Sequence, residues 1–319
     1  MSPGGERGRI LVIKLGALGD FIQALGPMAA IRAHHLGAEI VLLTTAPFAG
    51  LAKASGYFDE VWIDDRAPLW RPDRLLALRR RLRQGGFARV YDLQTSDRTG
   101  WYFHLFDRRH RPEWSGIARG CSHRHSNPDR NRMHTLARQA EQLEIAGIDH
   151  VPPPEVDFLK ADIRDLAVNA PFVLVVPGGA AHRPEKRWPQ HHYRALAAAI
   201  DEAGLQPVLI GAAAEMSILR HVAEAVPGAR NLAGLTSLAE IAELARQAHA
   251  AVGNDTGPMH LIAAVGCPSV VLFSDASDPA LCAPRGRRVA VLHRPRIDDI
   301  EVTEVIEALS LPRFDSRET

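Results

Sequence analysis

Residues 250–268 read Ala250-Ala-Val-Gly-Asn-Asp255-Thr-Gly-Pro-Met-His260-Leu-Ile-Ala-Ala-Val265-Gly-Cys-Pro268. The opening is apolar, as the end of a buried strand is. The run breaks at Gly253-Asn-Asp255-Thr256-Gly257-Pro258 and resumes as an apolar helix over 259–265. Asp255 or Thr256 suits the helix N-cap, and Pro258 its first turn. A strand entering a glycine-containing turn and then a helix offers free backbone N–H groups at the positive end of a dipole. That geometry suits a phosphate. Asp255 and His260 flank the turn, so a carboxylate and an imidazole stand beside whatever binds. The plainer alternative is a capped strand–helix junction of any α/β domain, with His260 packed on its helix. The rest of the chain decides between them.

Two further turns of this kind occur. A short buried strand of parallel type at 10–13 runs into Lys14-Leu-Gly16-Ala-Leu-Gly19-Asp20, and an apolar helix is expected over 21–34. The Gly-x-x-Gly spacing is not the Gly-x-Gly-x-x-Gly of a dinucleotide site, which sets an oxidoreductase aside. Asp20 reads both as a helix N-cap and as a carboxylate that accepts a proton from a substrate hydroxyl. Strands follow at 38–44, 61–63 and 90–94. The third turn, Pro177-Gly-Gly-Ala180-Ala-His182-Arg-Pro-Glu-Lys186-Arg-Trp-Pro189, lies between a strand at 172–176 and a helix at about 191–203. Strands at 207–210, 269–273 and 289–292, with helices after Glu215, at 238–248 and at 302–309, complete a second βα series.

This alternation predicts parallel sheets with right-handed crossovers and ligands beyond the carboxyl ends of the strands. The expected fold is α/β, with two doubly wound Rossmann-like domains facing across a cleft. The domains are placed at 1–160 and 161–319, the Pro-rich run 151–171 is the candidate linker, and the last helix is left free to return to the first domain. No repeat is visible in the sequence, yet both halves share the alternation. Lys186 and the helix after Asp255 suit a diphosphate. Glu215, at a strand end, suits ribose hydroxyls. Asp20 supplies a base. Together they describe group transfer from a nucleotide-activated donor to a hydroxyl.

The 319 residues are 46% hydrophobic, ample for two cores, and a net charge of +1 argues against a dedicated nucleic-acid binder. Cys121, Cys267 and Cys282 are odd in number and widely spaced, which reads as free thiols in a reducing compartment. Residues 1–8 look like a loose leader, not a signal peptide. No run is long enough to span a bilayer, so a cytoplasmic location is expected. The charge is uneven. Residues 66–89 carry Arg66, Arg71, Arg74, Arg79, Arg80, Arg81, Arg83 and Arg89 against the single acid Asp73, with Leu75, Leu76, Leu78 and Leu82 at helical spacing. Such a helix rests on an anionic membrane surface or is simply solvated. Residues 104–134 are rich in Arg and His without metal-ligand spacing, so an anionic ligand fits better than a metal. The pairs Asp64-Asp65 and Asp298-Asp299 read as surface acids.

The motifs Lys14–Asp20, Asp92-Leu-Gln94, Lys186-Arg-Trp-Pro189, Asn231-Leu-Ala-Gly-Leu-Thr-Ser237 and Asp255-Thr-Gly-Pro-Met-His-Leu261 resemble those of glycosyltransferase family 9, the ADP-heptose:lipopolysaccharide heptosyltransferases. The resemblance covers nearly the whole chain. It implies a GT-B fold, an ADP-sugar donor held by the C-terminal domain, and inverting transfer without a metal or other cofactor. The base it implies is Asp20. The implied donor-binding residues are Lys186, Glu215, Asp255, Thr256, Gly257, Pro258 and His260, and the candidate acceptor-binding residues are Lys14, Gln94 and Arg119. The implied acceptor is an anionic glycolipid of the Kdo–lipid A type at the cytoplasmic face of the inner membrane. Two departures stand out. Family members often carry Ser or Thr where this chain has Ala180 and Ala181, and Ser274-Asp-Ala-Ser-Asp-Pro279 replaces a usual Gly-Pro-Thr-Asp-Pro. A different nucleotide sugar or acceptor, or a non-catalytic sugar-nucleotide-binding partner, is therefore the competing reading.

Overall fold

The computed structural model describes residues 8–68, 70–179 and 182–311, so the leader, Ala180, Ala181 and the charged tail lie outside it. The chain divides into two compact units, Met1–Glu155 and Val156–Thr319.

The first unit runs β1 (Arg9–Ile13), α1 (Leu18–Gln23), α2 (Leu25–His34), β2 (Ile40–Thr44), α3 (Ala49–Ser55), β3 (Glu60–Ile63), α4 (Pro72–Gln84), β4 (Phe87–Asp92), α5 (Asp97–Tyr102), β5 (Glu113–Gly116), β6 (His123–Arg124) and α6 (Thr135–Ile145). Its sheet has the order β3-β2-β1-β4-β5-β6, every pair parallel. β2 is buried along its whole length and β1 along all but its first residue, because helices cover both faces of a parallel sheet. Leu11, Ile13, Val41, Leu43, Val90 and Trp114 form the centre of that core.

The second unit runs β7 (Phe172–Val176), α7 (Gln190–Glu202), β8 (Gln206–Leu209), α8 (Met216–Ala223), β9 (Arg230–Asn231), α9 (Leu238–Gln247), β10 (Ala250–Asn254), α10 (Gly257–Val265), β11 (Ser269–Ser274), α11 (Pro279–Cys282), β12 (Val289–Arg294) and α12 (Val302–Leu309). Its order, β12-β11-β10-β7-β8-β9, is parallel throughout. Read from β9, it repeats the first sheet strand for strand. α12 stays with this unit, since Val305 and Leu309 enter its core beside Ile200 and Leu272. The first residues of the unit are fixed to it by Arg246, whose guanidinium donates to the carbonyls of Val156 and Leu159.

Three local expectations change. The helix expected at 21–34 is two helices, and it begins earlier, at Leu18. Ala24 divides them, its N–H donating to the carbonyls of Asp20 and Phe21, and Pro27 in the next turn has no N–H to continue the ladder. Asp20 is thus not the N-cap, which is Ala17, but lies inside the first turn. The Arg- and His-rich run 104–134 contains β5 and β6, and α6 begins after it at Thr135. The basic helix is shorter than its arginines suggest. Arg66 precedes it, and Arg89 sits on β4, ion-paired with Glu113.

Candidate functional site

In both sheets the chain reverses its direction of winding between the first and fourth strands. That is where open α/β sheets bind ligands. In the first unit the point lies between β1 and β4. The turn after β1 is clamped from three sides. The Leu15 N–H donates to Gln94 Oε1 at 2.9 Å, and the Leu15 carbonyl accepts from Arg66 Nη2 at 2.6 Å and from the Thr45 hydroxyl at 3.1 Å. Gly16 is required there: it has φ +120°, and a Cβ would lie 2.5 Å from the Phe48 ring. The clamp holds the start of α1 rigidly and leaves Asp20 exposed on it.

Cations surround that carboxylate. Lys14 is buried, its ammonium 3.3 Å from the Leu93 carbonyl. Burial lowers its pKa, while Asp20 and Asp92 raise it and Arg138 lowers it further. α6 packs against α1 and α2 and carries Arg138, whose pKa is lowered by burial and raised by Asp20. Arg130 is half-buried and lowered by burial and by the like charge of Arg138, and one of its terminal nitrogens is buried without a partner. Its Nε donates to His125 Nδ1 at 3.3 Å. Beneath them Asp92 accepts from the N–H groups of Gln94 and Thr95 through Oδ1, while Oδ2 has no hydrogen bond. Burial raises its pKa to about 6 against the opposing pull of Thr95, Thr99, Gln94 and Lys14. The Thr99 hydroxyl favours the charged form from nearby without the geometry of a bond to Oδ2. The result is an exposed carboxylate in a field of buried positive charge, a setting that suits an anionic group.

In the second unit the matching point lies between β7 and β10. Asn254, fully buried, ends β10 and joins four partners. Its Oδ1 accepts from the Trp188 N–H at 3.1 Å and the Tyr193 hydroxyl at 2.9 Å. Its Nδ2 donates to the carbonyls of Pro177 at 2.9 Å and Gly178 at 3.0 Å. This amide fixes the turn after β7 and the Lys-Arg-Trp-Pro run against one strand end. Trp188 is anchored again by its Nε1–H to the Ile300 carbonyl at 2.9 Å. Lys186, two residues before it, is therefore carried on a fixed support, its Nζ 2.7 Å from Asp255 Oδ2. The Ser277 hydroxyl donates to the same oxygen at 2.8 Å, and His260 Nε2 lies 3.9 Å from Oδ1. Thr256 occupies the N-cap of α10 without its side chain making a cap bond. The start of α10 thus has no side-chain acceptor at its cap. Pro258 carries no N–H and the Met259 N–H donates to the Thr256 carbonyl, which leaves the helix end beside Lys186 as an arrangement suited to a diphosphate.

Glu215 is used differently from a free ribose ligand. Its Oε1 accepts from the Gly179 N–H at 2.6 Å and its Oε2 from the Ala212 N–H at 2.8 Å, which binds the turn after β7 to the turn after β8. A Cβ on Gly178 would lie 2.1 Å from Oε1, so the carboxylate occupies space that only glycine leaves open. Further acceptor capacity remains on both oxygens. The turn holding Leu232 and Gly234 lies against the Gly211 turn, with the Gly234 N–H 2.8 Å from the Gly211 carbonyl. Leu235 and Met216 are exposed there, giving an apolar surface beside the carboxylate.

The sequence model of glycosyltransferase family 9 (heptosyltransferase) matches residues 75–305. The chain belongs to glycosyltransferase family 9. It is 31% identical over 148 residues to lipooligosaccharide heptosyltransferase 2 of Haemophilus influenzae, an alignment covering 44% of this chain and 42% of the relative. The chain thus spans less than half the length of that curated relative. The family 9 glycosyl transferase of Veillonella parvula has the same fold, with a TM-score of 0.80 at 19% identity over 95% of this chain and 96% of that one. The Escherichia coli ADP-heptose lipopolysaccharide heptosyltransferase II has it as well, with a TM-score of 0.74 at 22% identity over 94% and 97%. Two Rossmann-like sheets of identical order are the GT-B architecture expected from the sequence.

Against this family background the second unit brings Lys186, Asp255, Thr256, Gly257, Pro258 and His260 together at the start of α10, with Glu215 at the neighbouring strand end. In the first unit Lys14 and Asp20 flank the turn after β1, and Gln94, just beyond β4, accepts from the Leu15 N–H of that turn. Arg119 stands apart from them, exposed in the turn between β5 and β6. Arg138 and Ser277 had no sequence signal of their own, whereas Arg130 lies in the Arg- and His-rich run 104–134 expected to suit an anionic ligand. Arg138 and Arg130 reach the β1 end only through the packing of α6 and its preceding loop. Ser277 comes from the divergent 274–279 loop and places a hydroxyl on Asp255. Ala180 and Ala181, the other departure, lie outside the described residues. Among the described residues no group of three or more His, Cys, Asp or Glu is placed to hold a metal ion, and no helix is long and apolar enough to cross a membrane.

Proposed function

We propose that this chain transfers a heptose from ADP-heptose to a hydroxyl of the lipopolysaccharide inner core, an acceptor of the Kdo–lipid A type, with inversion and without a metal ion. The observation that carries the reading is the lysine held against Asp255 at the start of α10. It supplies positive charge and backbone donors where a departing diphosphate accumulates negative charge. The names of the curated relatives support the donor and acceptor class. In the reaction the acceptor oxygen attacks the anomeric carbon on the face opposite ADP. The bond from that carbon to the diphosphate breaks with its electron pair leaving on ADP, and the acceptor proton passes to Asp20. Arg138 and Arg130 bind an anionic group of the acceptor, and Leu235 and Met216 offer the nucleobase an apolar face. The enzyme works from the cytoplasmic side.

The test is ADP release by the full chain given ADP-heptose and Kdo–lipid A. Asp20→Asn should lower the rate ~10²–10⁴-fold with ADP affinity unchanged. A variant of full rate removes Asp20 as the base, and turnover abolished by a chelator removes the metal-free reading. The divergent 274–279 loop favours one second reading, a different sugar nucleotide. Calorimetry with a panel of nucleoside diphosphates decides it, since tight binding of a non-adenine nucleotide alone would replace ADP-heptose as donor.

A further inference from the structure

Residues 279–297 carry Arg285, Arg287, Arg288, Arg294 and Arg296 and not one acid. Arg294 is paired with Glu304 and Arg296 with Asp298. Arg287 and Arg288 have no ion pair with a described residue, and both line a cavity of about 520 Å³ at the amino ends of β10, β11 and β12. That is the end of the sheet opposite the Asp255 turn. Ala250 lines the cavity at the start of β10, and Asn254 closes the strand beside Asp255, roughly 13 Å away along an extended chain. The turn that carries the arginines is fixed in place. Gly286 sits against the carboxyl end of α10, where a Cβ would lie 2.6 Å from the Ala263 carbonyl. Two residues on, the Arg288 carbonyl accepts from the Ser269 N–H at 2.9 Å.

The cavity has two kinds of wall. Val270, Val289 and Leu309 give it apolar sides, and Val270 and Leu309 are buried. Arg287, Arg288 and His249 are exposed around its mouth. No carboxylate is among the described residues that line it. The Ser269 hydroxyl is committed to the Cys267 carbonyl at 2.9 Å, which leaves the two guanidiniums as the strongest donors. Guanidiniums that lack an acid match the oxygens of a phosphate. The volume is that of a pocket for a small organic molecule, and the apolar sides require carbon beside the phosphate. We infer that this cavity binds a small organophosphate, its phosphate on Arg287 and Arg288 and its apolar part against Val270, Val289 and Leu309. The inference goes beyond the proposed function and does not rest on it, since the cavity shares no residue with the Lys186–Asp255 site.

The test is calorimetry of the full chain with 1-naphthyl phosphate, with inorganic phosphate as the comparison. The naphthyl ester should bind at one site per chain, about tenfold tighter than inorganic phosphate or better, because its rings leave water. Saturating ADP should not displace it. A charged hydrogen bond is worth about tenfold, so Arg287→Ser/Arg288→Ser should weaken binding roughly 100-fold. Ala290 lines the cavity from an exposed position on β12, so Ala290→Trp should fill it and abolish binding while thermal unfolding stays unchanged. Wild-type protein that does not bind the ester, or an Arg287→Ser/Arg288→Ser variant that binds it equally well, overturns the inference. Equal affinity for inorganic phosphate also overturns it, for the cavity would then be only a basic surface. Displacement by ADP would put the probe at Lys186 and overturn it too. A dimer that Arg287→Ser/Arg288→Ser splits in sedimentation would give the cavity to a second copy of the chain instead.

Discussion

Replacing Asn254 by alanine should destabilise the second unit more than any exposed substitution. The side chain is fully buried and makes four hydrogen bonds, to Trp188, Tyr193, Pro177 and Gly178. Truncation leaves an N–H, a hydroxyl and two carbonyls facing a small cavity. At about 1 kcal/mol for each net bond the loss is about 4 kcal/mol, a large share of the roughly 5–15 kcal/mol that holds a folded chain. For a unit of this size that corresponds to a fall in melting temperature of about 8–16 °C. Asn254→Asp should be no milder. It keeps the acceptor for Trp188 and Tyr193 but turns an oxygen toward the carbonyls of Pro177 and Gly178. Thermal and urea unfolding of the full chain measure the loss. Calorimetry with ADP should show weakened binding in both variants, because Lys186 is two residues from the freed Trp188 amide. A loss below about 1 kcal/mol with ADP affinity intact would refute the claim that this amide holds the turn and the lysine in place.

Asp92 and His35 should give opposing pH dependences of stability. The Asp92 pKa, raised by burial to about 6, makes a stabilising contribution that is full below about 3.8 and lost as pH rises through 6. His35, bonded to the Tyr91 hydroxyl and lowered by burial to about 4, contributes stability above about 6.5 that is lost as pH falls through 4. Each is on the order of 3 kcal/mol, so between pH 4 and 6 they largely cancel. Unfolding of Asp92→Asn should show stability rising with pH across that window, His35→Gln should show it falling, and parallel profiles for both would contradict the assignment. Gly253→Ala should cost ~1–3 kcal/mol in the same unfolding assays, because its Cβ would lie 2.8 Å from the Val176 carbonyl and 2.9 Å from Met259 Sδ.

The parallel sheets were legible because their strands are short, apolar on both faces and followed by glycine turns. β7 and α12 fall at the expected residues, and the turns after β1, β7 and β10 all stand at strand carboxyl ends. β6 was not legible, being two polar residues, His123 and Arg124, at a sheet edge, where no periodicity can register. The early start of α1 escaped because Leu18 and Gly19 carry no cap signal, so Asp20 looked like a boundary. Lys186 and Asp255 were each visible as candidates, but their 2.7 Å contact joins residues 69 apart, which only the β7–β10 pairing creates. The same holds for Arg138, which reads as an ordinary helix arginine until α6 is laid against α1.

The two sheets repeat one strand order, yet their central seams are fastened with different chemistry. In the first half the knot at the end of the fourth strand is Asp92, an ionisable acid. In the second half it is Asn254, whose amide has no proton to lose near neutrality. Protonation can therefore act on the Asp92 knot and leaves the Asn254 knot as it is. The repeated topology is not a repeated material.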